Sequence, residues 1–126
     1  MKAAPTWTFT TTEREGFLEI AITGEVTVEA ARDLEAEVFA VVEAKGAKAL
    51  LVDVRGLKGR FGVVDAYHRV RAYRGKAPGI RTAVVDRQEH EALGRFYEDT
   101  SYNIGRIRRH FTNLEDARAW LRDPTT

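Results

Sequence analysis

Ala49-Leu50-Leu51-Val52-Asp53-Val54-Arg55-Gly56-Leu57 opens as a short, wholly apolar run that stops at Asp53 and then Gly56. It shows no polar alternation, so both of its faces are covered. It reads as a central strand, over 48–54, of a mostly parallel sheet flanked by helices. The architecture follows from this stretch more directly than any activity does.

Working outward, Gly46 precedes the run as the natural stop of a helix over 27–45, with Ala31, Leu34, Val38, Val41 and Val42 as its apolar stripe. Thr27 is its expected N-cap. Upstream, Trp7 and Phe9 alternate with Thr, and Leu18, Ile20 and Ile22 alternate again after a polar turn containing Gly16. Two such strands form an antiparallel hairpin. Downstream, a helix over 61–74 is expected to turn Val63, Tyr67 and Val70 inward, and 75–79 breaks it. A strand over 80–86 and a helix over 88–102 follow, with Leu93, Phe96 and Tyr97 on one side. A charged edge strand over 106–111 leads to a last helix capped by Asn113. The order β-β-α-β-α-β-α-β-α gives an α/β domain with five strands and four helices, filling 1–126 as one unit.

The 126 residues carry a net charge of +1, so no global field draws the chain to nucleic acid or anionic lipid. Cysteine is absent, which removes disulfides, thiolate zinc sites and a cysteine nucleophile. No apolar run reaches the ~18 residues that span a bilayer. Met1-Lys2-Ala3-Ala4-Pro5 lacks the apolar core of a signal peptide, so a cytoplasmic location is expected.

Chemistry-bearing residues are sparse. His68, His90 and His110 stand too far apart for a metal motif, and no metal or cofactor is expected. Arg55-Gly56-Leu57-Lys58-Gly59-Arg60-Phe61-Gly62 joins strand to helix as phosphate loops do, but without either glycine spacing that marks them. It reads as a flexible crossover or as an anion site. In the second reading Arg55, Gly56, Lys58 and Arg60 lie at the carboxyl edge of the sheet, where open α/β sheets place ligands. Asp53 and Asp86 end adjacent strands there, Arg87 joins them, and Phe61 and Tyr67 supply apolar lining. Arg69, Arg71 and Arg74 read as a dispersed, solvated helix face, so nucleic-acid binding is not expected.

Two motifs carry a family resemblance: Leu51-Val52-Asp53-Val54-Arg55-Gly56-Leu57, and the carboxyl segment from Phe96-Tyr97-Glu98-Asp99 through Phe111-Thr112-Asn113-Leu114-Glu115-Asp116-Ala117-Arg118-Ala119-Trp120-Leu121. With the strand order, they resemble the SpoIIAA-like (STAS) superfamily of sulphate-transporter and anti-sigma-factor-antagonist domains. The branch the chain looks most like is that of stand-alone bacterial STAS-like proteins sharing a fold with CRAL-TRIO lipid-binding domains. The resemblance implies a metal-free domain that recognises a partner or ligand and does no catalysis. In anti-sigma-factor antagonists the loop after the Asp-ended strand carries a phosphorylatable serine. Here Val54 and Arg55 stand at those positions, and the loop as far as Phe61 has no Ser or Thr, so that switch is not carried over to this chain.

Three functions are therefore expected in descending order. The first is a non-enzymatic module that binds a protein partner or itself, with Trp7, Phe9 and Phe17 as core or as dimer surface. The second is a binder of a lipid-like or anionic small molecule. The third is a hydrolase using Asp53 or Asp86 with His68.

Overall fold

The computed structural model describes residues 6–123, and the reading of the first five residues lies outside them. One sheet holds β1 (Trp7–Arg14), β2 (Phe17–Glu25), β3 (Ala49–Lys58), β4 (Arg81–Val85) and β5 (Ile107–Phe111) in the order β1-β2-β3-β4-β5. β1 and β2 pair antiparallel, and every later ladder is parallel. The helices are α1 (Val28–Lys45), α2 (Val63–Ala72), α3 (Glu91–Asn103) and α4 (Leu114–Arg122), with a single 3-10 turn at Gln88–His90 before α3. No helix among the described residues is long and apolar enough to cross a membrane.

Local signals decide where the helices begin and end. Thr27 accepts a hydrogen bond from Ala30 N at 3.1 Å, and Asn113 accepts one from Asp116 N at 3.0 Å. Each satisfies an orphan donor of the first turn. Gly46, at φ 63°, ends α1 in the left-handed conformation.

β3 divides the core. Leu50 packs with Leu18, Ile20, Ile22, Leu34 and Val42 on the side of α1. Its neighbour Leu51 is wholly buried with Ala83, Val85, Ala117, Trp120 and Leu121 beneath α4. Right-handed crossovers put α1, α2 and α3 on one face and leave α4 to cover the other. Trp7 and Phe17, at 6% and 5% exposure, belong to these two cores. They are core, and a dimer surface made of them is ruled out.

Two sequence expectations need correction. The segment 55–58 is strand, because β2 extends in parallel with it. After a register shift between Ala21 and Thr23, Thr23, Gly24 and Glu25 pair with Gly56, Leu57 and Lys58. In α2 the buried positions are Ala66 and Val70, packed with Tyr73, while Val63 and Tyr67 are exposed. A stripe beginning at Ala66 is weakly apolar in sequence and was outweighed by the bulkier Val63 and Tyr67.

Gly24 gives a direct test of the hairpin register. Its φ is 101°, and a Cβ there would stand 2.2 Å from Thr6 O. Gly24→Ala is expected to destabilise the fold by at least about 2 kcal/mol, read as a lower urea midpoint. An unchanged midpoint would mean that β1 does not lie against β2 as described.

Candidate functional site

Alternation along β3 separates the two strand-end aspartates. Asp53 follows Leu51 onto the α4 face, and Asp86 lies on the opposite face, adjoining α1–α3 with Val52, Val54 and Val84. Arg55 folds back onto Asp53, its Nε and Nη2 donating at 3.0 and 2.8 Å and its backbone N–H at 3.1 Å. Burial pushes the Asp53 carboxyl up, but these donors outweigh it and hold the group below the usual carboxylate range. Neither aspartate hydrogen-bonds to His68, which is exposed on α2 with its ring against Tyr67.

Arg60 ties the exit of β3 to the end of β4. Nε donates to Asp86 Oδ2 at 3.0 Å and Nη2 to Oδ1 at 2.5 Å. The same guanidinium donates to Val54 O at 2.9 Å, Leu57 O at 3.0 Å and Gly59 O. Asp86 also accepts the Arg87 backbone N–H at 2.7 Å. All five donor groups of the pair's arginine end are directed at fixed oxygens, a fork that lysine could not reproduce.

Behind this tie lies a cavity of about 190 Å³ between the sheet and α1–α3. Of the nine nominated residues, Lys58, Arg60, Phe61 and Asp86 line it. The structure does not bring the other five there. Asp53 and Arg55 pair on the far face, Gly56 abuts the Thr23 side chain, and Tyr67 is exposed beneath Arg71. Arg87 pairs with Glu89 at 3.1 Å at the rim of a second, polar cleft.

Sequence reasoning missed the cavity's other polar residues. Arg69, read as solvated, donates Nε to Glu35 of α1 at 3.2 Å and stacks its guanidinium 4.4 Å from the Phe61 ring. Burial alone would lower the Arg69 pKa, yet Tyr73, Tyr97 and Glu35 together raise it. Arg106 donates to Tyr73 O at 3.1 Å and Lys76 O at 2.7 Å. Arg108 lies 4.4 Å above the Tyr97 ring, and its Nε donates to His110 Nε2 at 3.0 Å. Accepting that bond requires a neutral imidazole. Burial, and then the charge of Arg108, push the His110 pKa down to about 2. A Cβ on Gly94 would come 2.8 Å from His110 Nδ1, so the glycine makes room for the ring. The alternation of Arg106, Arg108 and His110 was the available signal, but without knowing which face α1–α3 cover it could not be assigned.

Among the described residues no group of three or more side chains is placed to hold a metal ion. The sequence matches no family model and no curated protein. Solved structures do match. An anti-sigma factor antagonist from Mycobacterium paratuberculosis superposes with a TM-score of 0.66 at 20% identity, over 97% of this chain and 100% of that one. The chain has the SpoIIAA-like fold. An uncharacterised DUF3478-family protein with a SpoIIAA-like fold, from Shewanella loihica PV-4, superposes with a TM-score of 0.59 at 17% identity, over 96% of this chain and 98% of that one. At these identities the likeness concerns the SpoIIAA-like architecture, with its N-terminal hairpin, three parallel ladders and isolated α4, and not the residues that line it.

Proposed function

We propose that the chain is a non-enzymatic STAS-like module that acts by contact with a protein partner, through the start of α2. The observation that carries this reading is the exposure of Val63, Val64 and Tyr67, at 51%, 67% and 42%, on the first two turns of that helix. Apolar side chains grouped on one helix face, with His68 and Arg71 against Tyr67, are the ordinary form of a protein contact surface. The anti-sigma factor antagonist of the same fold supports the reading by analogy. Catalysis has less support, since Asp53 and Asp86 are each engaged by an arginine. The segment 54–62 carries no hydroxyl, so a contact here would not be switched by phosphorylation within it.

A photoreactive amino acid substituted at Val64 tests the surface in the cells that make the protein. One discrete adduct, with another protein or with a second copy, is the expected result. Tyr67→Asp should abolish it while changing stability by less than about 0.5 kcal/mol, as befits an exposed site. A diffuse smear, or an adduct insensitive to Tyr67→Asp, would overturn the proposal.

A further inference from the structure

The cavity under α1–α3 is not needed for a contact on the outer face of α2, and its lining is unevenly charged. Lys58, Arg60, Arg69, Arg106 and Arg108 face it against two carboxylates, Glu35 and Asp86. Asp86 is engaged by Arg60 and Glu35 by Arg69. Arg106 and Arg108 have no carboxylate partner among the described residues. They stand two residues apart, Arg106 just before β5 and Arg108 within it, and burial, then the charge of Arg108, depress the Arg106 pKa. Arg106 donates to two carbonyl oxygens, but Arg108 spends only Nε, on His110. Its terminal nitrogens make no hydrogen bond within the described residues. An unneutralised cation pair at the wall of an apolar cavity is unfavourable unless an anion joins it.

The remaining wall is apolar. Val38 and Val42 of α1, Leu50 and Val52 of β3, Ile80 just before β4 and Val84 within it line it. Here we infer that the cavity binds a small amphipathic anion, its apolar body against these six side chains and its charged head at Arg108 and Arg106. The volume sets the size. A 150 Å³ apolar cavity admits the six carbons of benzene, so about 190 Å³ suits roughly eight non-hydrogen atoms, the carbon count of a medium-chain acid. A medium-chain carboxylate meets both requirements. It brings one negative charge in a planar group that a guanidinium grips at two points, and a flexible apolar tail.

Calorimetric titration of the full chain tests this with octanoate, 1-octanol, octyl phosphate and inorganic phosphate. Octanoate is expected to bind at least about tenfold more tightly than 1-octanol, since charge-assisted pairing is lost with the head group. Inorganic phosphate alone should not bind, and octyl phosphate separates a general anion subsite from one selective for carboxylate. Arg108→Gln should weaken octanoate about tenfold and leave 1-octanol unchanged. Val38→Phe, which fills the cavity from α1, should block both while preserving cooperative unfolding. Equal binding of octanoate and 1-octanol by the unmodified chain would overturn the anion subsite without recourse to any variant. Binding that survives Val38→Phe would place the ligand elsewhere and overturn the cavity. Tyr67→Asp should leave octanoate binding intact, so loss of the α2 contact and loss of this site are read separately.

Discussion

Arg60→Ala is expected to lower the stability of the domain by about 3–5 kcal/mol, and its Tm by roughly 10–20 °C. The arginine and Asp86 are nearly buried, with side-chain exposures of 13% and 11%. Truncation leaves a carboxylate in that place with only the Arg87 N–H to satisfy it, and releases the carbonyls of Val54, Leu57 and Gly59. The cost lies mostly in the stranded charge. Replacing both partners, as Arg60→Met with Asp86→Leu, should therefore recover at least half of the loss. Urea unfolding with a shifted midpoint and an unchanged slope would report this. A loss under about 1 kcal/mol for Arg60→Ala would show that the exit segment of β3 is held by something else.

The second large effect is acid sensitivity centred on His110. In the folded chain its pKa is pushed down to about 2, whereas the ordinary value is 6.5. Below that ordinary value the unfolded chain takes up a proton that the folded chain does not. Stability therefore falls as pH falls, being complete above 6.5 and lost progressively toward the folded value. Between pH 7.5 and 5 the expected loss is about 2 kcal/mol. Glu19, held low chiefly by the bidentate Arg118, and Asp53, held low by Arg55, contribute with the same sign. Their losses begin only near their ordinary values of 4.5 and 3.8, which leaves the higher window to His110. The carboxylate of Glu98 on α3 accepts the His110 backbone N–H at 3.2 Å, so it holds the strand there and not the ring. His110→Gln, which retains an acceptor for Arg108, should flatten the profile between pH 5 and 6.5. A wild-type profile already flat across that window would contradict the buried neutral imidazole.

How much of this was readable beforehand depends on the residue. Ala49-Leu50-Leu51 could only be a covered strand, and Thr27, Gly46 and Asn113 sit where caps must sit. Those signals are local, and strand order followed from them. Arg55 to Lys58 were misread because a strand's continuation depends on its neighbour, and nothing in 55–58 reports that β2 runs on to Glu25. The phase of α2 failed for a related reason: alanine is small enough to be overlooked, yet Ala66 is wholly buried. Of the candidate site, Arg60 and Asp86 were each expected at the sheet's carboxyl edge, and there the structure joins them. Arg69 was given to solvent, and Arg106 and Arg108 to an edge strand with charges on both faces, because long cationic side chains look alike in sequence whether they line a wall or face water.

Each ladder in the sheet joins strands that follow one another along the chain. Assembly can thus advance from one end, each crossover closing a loop of modest length whose entropic cost is recovered by the next ladder. No strand has to wait for a distant part of the polypeptide to be made. While the chain is being synthesised, the growing side of the sheet is the one edge added to, which limits the time an unpaired strand is open to other molecules.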